Sequence, residues 1–178
     1  MLRPGQVLPE RRGFLFGQGA FVRGTELAQK NHDRGFFHNA AVAVTLGGAA
    51  AQTLFGGADD PWRRGELVEL SFMDGARPMF LVLASTLKRF PLGLKLFGEP
   101  HEGLKVLTVE APPRRLVRAV PAILQGRDPP WLAAHGYRRD DLTEFDLTFP
   151  GDFVLDGEIF EGGAMSLRQG PELEFVIP

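Results

Sequence analysis

Glu66-Leu67-Val68-Glu69-Leu70-Ser71-Phe72 and Met79-Phe80-Leu81-Val82-Leu83-Ala84 flank Met73-Asp74-Gly75-Ala76. The two outer runs are rich in residues that suit a pleated, half-buried surface. The Asp-Gly pair between them supplies the backbone freedom that a tight turn between strands demands. Together they predict an antiparallel β-hairpin, and with it a fold built from neighbouring strands.

Downstream, Leu104 to Ala111 reads as another strand. Pro112 and Pro113 then open a short helix, Arg114 to Leu124, because proline is tolerated in a first turn, with Pro121 as an internal kink. Asp128-Pro129-Pro130 is a loop, and the tail is strand-dense. Phe145 to Phe149 alternates apolar with polar, Phe153-Val154-Leu155 follows a Pro-Gly turn, and Leu173 to Ile177 closes the chain. Upstream, Phe14 to Val22 is apolar and Gly-punctuated, which predicts a buried strand with close backbone approach at Gly17 and Gly19. A buried helix is expected from about Asn39 to Leu54, stopped by Gly56-Gly57. Residues 1–12 form an irregular lead-in, and 13–178 form a single domain. The expected class is α+β: β-rich, mainly antiparallel, a two-layer sheet or sandwich with a few covering helices.

At 178 residues the chain is long enough to bury roughly 70% of its unfolded surface. With 44% hydrophobic and 24% charged residues it has the makings of a core. A net charge of -2 provides no general basic field, so no nucleic-acid partner is expected. There is no cysteine, which excludes disulfides and thiolate chemistry and permits a cytoplasmic location. The start, MLRPGQVLPERRGF, has charges and prolines where a secretory signal needs an apolar segment. The most hydrophobic stretch, Ala40 to Phe55, is shorter than a bilayer span.

Phe16-Gly17-Gln18-Gly19-Ala20-Phe21 contains a Gly-x-Gly, yet a dinucleotide site also needs a third glycine, a helix opening at once and a later acidic residue. A structural glycine-rich strand is the better reading. His32, His38, His101 and His135 have no spacing that makes a zinc site. Ser71, Ser85 and Ser166 lack a nucleophile elbow. In Leu155-Asp156-Gly157-Glu158, carboxylates two apart on an extended chain would project to one side, about 7 Å apart, as a general-base or metal pair. The competing reading is a hairpin turn with solvated acids. Arg114, Arg115 and Arg118 form either the solvated face of a helix packed through Leu116, Val117, Val120 and Leu124, or a membrane-facing patch.

In their order, these segments resemble the C-terminal domain of the diacylglycerol kinase and sphingosine kinase superfamily, bacterial lipid kinases in particular. The strand into Leu155-Asp156-Gly157-Glu158 and the ending Phe175-Val176-Ile177-Pro178 carry the likeness furthest. Phe14 to Phe21 resembles the opening strand, and the Asp74-Gly75 hairpin leads to Leu83-Ala84-Ser85-Thr86 where the family has a core strand. His101-Glu102-Gly103-Leu104-Lys105-Val106 stands where the family has an Asp-Gly turn into a strand. The resemblance runs from about Gly13 to Pro178.

It implies the lipid-acceptor side of an ATP-dependent lipid kinase, with Glu158 as catalytic base and Asp156 beside it. It also implies a structural magnesium site at the Asp-Gly turn, where Glu102 replaces the aspartate as the candidate metal ligand. The family's nucleotide-binding domain, with Gly-Gly-Asp-Gly-Thr, is not in this sequence. ATP and Mg2+ are therefore expected only with that domain, in cis or trans, and the chain alone is expected to be inactive. The implied partners are a lipid such as diacylglycerol, a nucleotide-binding domain and a membrane surface. The 15 phenylalanines and the family's interdomain cleft lead to the expectation of an apolar cleft near Asp156 and Glu158. The alternative is a stand-alone lipid-binding or interaction domain that has kept the fold without the reaction.

Overall fold

The two strands expected on either side of Asp74-Gly75 pair, but their last pair is Val68 with Arg77, so Asp74 and Gly75 lie in a longer loop and not in a tight two-residue turn. β2 (Glu66–Leu70) and β3 (Arg77–Ser85) run antiparallel, with Glu66 opposite Met79 and Val68 opposite Arg77. The computed structural model describes residues 10–32 and 61–171. The helix expected at 39–54 and the strand at 173–177 lie outside the described residues.

β1 (Leu15–Gly19), β4 (Leu104–Glu110), β5 (Tyr137–Leu142), β6 (Glu144–Thr148), β7 (Asp152–Leu155), β8 (Glu158–Glu161) and β9 (Ala164–Arg168) complete a nine-stranded sheet. Every pairing among the described residues is antiparallel. One arm runs β8-β7-β1-β3 and continues through β4 to β5. The other leaves through β2, which pairs with β3 over Glu66 to Val68 and with β6 over Glu69 and Leu70. β6 then pairs with β9. By changing partner midway, β2 turns the sheet into two layers, the architecture expected from the sequence.

Between those layers lies one core, built on Phe16, Val82, Val106, Leu147 and Phe153. The outer face of the larger layer carries a second core, where Leu83 and Leu107 meet Ala119, Ile123 and Leu132. A bulge in β3 between Met79 and Leu81 sends Phe80 and Leu81 both to the outer core, while Met79 and Val82 face the inner one.

Three helices are described: α1 (Ala20–His32), α2 (Pro61–Arg64) and α3 (Leu116–Leu124). The strand expected to reach Val22 ends at Gly19, where φ is +73° and a side chain would collide with the Phe80 carbonyl. α3 starts two residues later than expected, because Arg115 takes a left-handed conformation before it. Pro112 and Pro113 therefore precede the helix and do not form its first turn. Its packed face is Ala119 and Ile123, while Val117, expected in the core, is exposed. The Tyr137 hydroxyl donates to the Arg114 carbonyl at 2.6 Å and fixes where the helix begins. Burial pushes that phenol's pKa up to about 12.

Within β2, Leu70 is buried and Leu67 is exposed. Leu70→Ala should cost about 2–5 kcal/mol in denaturant unfolding. Leu67→Ala, in the same strand, should stay within about 0.5 kcal/mol of the wild type.

Candidate functional site

Leu155 pairs with Glu158, so Asp156 and Gly157 form a two-residue turn between β7 and β8, at φ 51° and 95°. Asp-Gly suits that turn because both positions need positive φ. The extended backbone on which the two carboxylates would project to one side is therefore not what forms, and the two acids are used differently. The Asp156 carboxylate accepts hydrogen bonds from the Phe14 amide at 3.0 Å and the Leu15 amide at 2.8 Å. Its own amide donates to the Leu15 carbonyl at 2.9 Å. From the other side, the Ser85 hydroxyl donates to the Phe14 carbonyl at 2.7 Å. Asp156 is thus a clasp for the start of β1. Glu158 is exposed, and among the described residues its carboxylate has no hydrogen-bond or ion-pair partner. It shares a face of β8 with Phe160, over whose ring the Arg11 guanidinium sits at 3.9 Å.

The turn before β4 is built around a different cation. The Lys105 ammonium, on a side chain only 2% exposed, donates to the carbonyls of His101 at 2.9 Å and Gly103 at 3.4 Å. Desolvation pulls its pKa below the usual lysine range. His101 has an acceptor at each ring nitrogen, Glu99 O at 2.6 Å and Asp141 Oδ1 at 2.7 Å. The Asp141 bond first, and the Glu99 carbonyl second, raise its pKa. Glu102 is committed to an ion pair with Lys88, whose hydrogen bond and charge hold the carboxyl below its ordinary range.

A structural magnesium ion would need oxygen ligands converging on one point. Here the turn's carbonyls already face an ammonium, and the one candidate carboxylate is spent on Lys88. The turn, as arranged, does not fit the metal site that the resemblance implies. Among the described residues no three His, Asp or Glu side chains form a metal-holding group.

The ladder runs from Glu158 through Leu155, β1, Ser85 and Lys105 to Asp141. Both acidic turns therefore sit at one end of the larger layer. They are four strand spacings apart, roughly 19 Å, so they do not make one site.

Other expectations are corrected by the packing. A helix does open directly after Gly17-Gln18-Gly19, contrary to the sequence reading of that motif. The space beside the glycines is nonetheless filled by the chain itself, by the Phe21 ring at Gly17 and the Phe80 carbonyl at Gly19. No room for a phosphate is left there. Of the 15 phenylalanines, Phe16, Phe149 and Phe153 are core residues, with Phe16 stacked on Phe153 at a ring-centroid distance of 5.4 Å and Phe149 edge-on to both. The hollows described lie away from Asp156 and Glu158. One, of about 620 Å³, opens beside α3 between Arg118, Pro121, Gln125, Arg127 and Trp131. The other, of about 20 Å³, lies under the loop from Leu87 to Pro100.

Sequence reasoning did not single out Ser85, Lys105, Gln18 or Arg139 for the roles they have. Gln18 is fully buried and donates to Glu66 at 2.7 Å. A lone polar residue inside an apolar strand was the available signal in each buried case.

No protein-family model and no curated protein matches the chain. Solved structures do. The chain is similar to the crystal structure of a "putative diacylglycerol kinase" from Bacillus anthracis str. Sterne, at 12% identity and a TM-score of 0.52, covering 87% of this chain and 50% of that one. A second such structure from the same organism gives 12% identity and a TM-score of 0.48 over the same shares. At this identity the likeness is one of fold. The chain spans about half the length of these proteins. No helix among the described residues is long and apolar enough to cross a membrane.

Asp156→Ala should lower stability by about 1–3 kcal/mol, since it removes a charged acceptor from backbone amides and puts alanine at positive φ. Asp156→Asn should lose less, and Glu158→Gln should stay within about 0.5 kcal/mol, all read by denaturant unfolding. For His101 the folded pKa lies above 6.5, so its contribution is full below that value and is lost as pH rises through the folded pKa. The gap in thermal midpoint between wild type and His101→Gln should therefore be widest in mild acid and narrow as pH rises.

Proposed function

We propose that this chain is the lipid-acceptor domain of a diacylglycerol-kinase-like phosphotransferase, acting with a nucleotide-binding domain in cis or trans. The observation that carries this reading is the fold, which follows half of a protein with that name over most of this chain. ATP and its Mg2+, held by the nucleotide domain, would supply the phosphoryl group and screen its charge.

In this reading Glu158 acts as the base. Its carboxylate is exposed at the start of β8, beside a two-residue turn held by ion-dipole bonds. It accepts the proton of the lipid hydroxyl as that oxygen bonds to the γ-phosphorus and the bond to the ADP oxygen breaks. Asp156, occupied by the Phe14 and Leu15 amides, is a positioning residue that fixes the turn from which Glu158 projects.

A second reading draws on one observation: the space beside Gly17 and Gly19 is filled by the Phe21 ring and the Phe80 carbonyl. A stand-alone lipid-binding or interaction domain would have that character.

Reconstitution distinguishes them. The purified chain should neither bind ATP by calorimetry nor phosphorylate diacylglycerol. With a complementing nucleotide domain, turnover should appear and fall about 10²–10⁴-fold in Glu158→Gln, with folding intact by circular dichroism. An active complex indifferent to Glu158→Gln would remove the base assignment. Failure of every complementing domain to restore activity would favour the binding module.

A further inference from the structure

Residues 86–98 and 111–127 contain seven basic residues, Lys88, Arg89, Lys95, Arg114, Arg115, Arg118 and Arg127, and no acidic one. The chain as a whole has 22 Asp and Glu against 20 Lys and Arg. These stretches are distant in sequence and adjacent in the fold. The Lys95 amide donates to the Leu124 carbonyl at 3.0 Å. Arg139 of β5 completes the join, donating to Leu96 O at 2.9 Å, Arg127 O at 2.9 Å and Ile123 O at 3.2 Å. One guanidinium thus fixes the loop against the C-terminal end of α3.

Lys88 and Lys95 pair with Glu102 and Glu99. The other five cations have no carboxylate partner among the described residues. The most exposed large apolar side chains of the described residues are also here, Leu92 at 83% and Val117 at 67%. Leu92 is moreover held at φ 59° and ψ 16°, a left-handed conformation that is unfavourable for leucine. Among the described residues, neither burial nor backbone geometry accounts for a leucine at that position. Outlying backbone of this kind is a pointer to an external contact.

We propose that this face docks on an anionic membrane surface, with Leu92 entering the headgroup–acyl boundary and the unpaired arginines meeting lipid phosphates. A projecting apolar residue flanked in its loop by Lys88, Arg89 and Lys95, on a basic face, matches that boundary on both counts. A soluble polyanion would be served by the arginines but leaves Leu92 and Val117 without a role. The inference deepens the proposed function, since a lipid acceptor resides in a bilayer. It is tested without ATP, nucleotide domain or turnover, so docking and kinase chemistry can fail separately.

The full chain is co-sedimented with vesicles of phosphatidylcholine, with and without phosphatidylglycerol. Binding should require phosphatidylglycerol and weaken as salt is raised. Arg114→Gln with Arg118→Gln should reduce partitioning by about 25-fold, near 5-fold for each charge. Leu92→Ser should reduce it by about 10-fold. Because the chain has no cysteine, Leu92→Cys takes a single environment-sensitive dye. Its emission should shift to the blue on mixed vesicles, whereas the same dye through Leu67→Cys, exposed on β2, should not respond. Absence of binding to mixed vesicles at low salt overturns the proposal, as does binding unchanged by these substitutions. Equal dye responses at 92 and 67 also overturn it. So does heparin binding that replaces vesicle binding and ignores Leu92→Ser, the mark of a soluble polyanion.

Discussion

Strand β3 is hydrogen-bonded along both edges and buried on both faces, and the rest of the molecule is set by that double constraint. One edge is taken by β4, and the other is divided between β1 and β2. Its inner face meets the core between the layers, and its outer face meets the helices. A one-residue slip would exchange the two faces, so the register is strongly specified. The end of β3 inherits that precision. Ser85 pairs with Leu15 and Lys105, and so places both the start of β1 and the turn before β4.

Asp156, Lys105 and Arg139 are charged side chains that spend themselves on backbone groups. Asp156 takes the amides that open β1, Lys105 takes the carbonyls of its own turn, and Arg139 takes carbonyls from a loop and a helix end. Hydrogen bonds to charged groups contribute more than neutral ones, about 1.5–3 kcal/mol each, and they satisfy groups at irregular points that no ladder reaches. The same commitment limits what these residues can do chemically. An aspartate holding amides is poorly placed to move a proton, and a turn closed by an ammonium has no place for a divalent ion. Of the two acids in Asp156-Gly157-Glu158, Glu158 is the one left uncommitted among the described residues.

A shared fold does not transfer a reaction, because chemistry resides in particular side chains placed on the scaffold. Glu158 itself stands exposed at one end of the sheet, beside a two-residue turn held by Asp156. The basic face beyond α3 is a separate region of the molecule, held together by Arg139.

Local chemistry in the sequence determined the strands on either side of Asp74-Gly75, the strand from Leu104, the alternation through Phe145 to Phe149 and the turn at Asp156-Gly157. Each depends on a period of two or on the dihedral demands of one or two residues, which neighbouring residues are enough to specify. Tertiary structure decided the rest. The apolar run from Phe14 reads as one strand reaching Val22, and only the crowding of Gly19 against β3 ends the strand there and starts a helix. Val117 and Ala119 could each have faced the core until the outer face of β3 and β4 selected Ala119 and Ile123. Asp156 and Glu158 looked like a pair, yet their roles separated because Phe14, 142 residues away in the chain, brings its amide to one and not the other. A polar group's duty is fixed by the partner that folding delivers to it, and that partner is absent from the residues on either side.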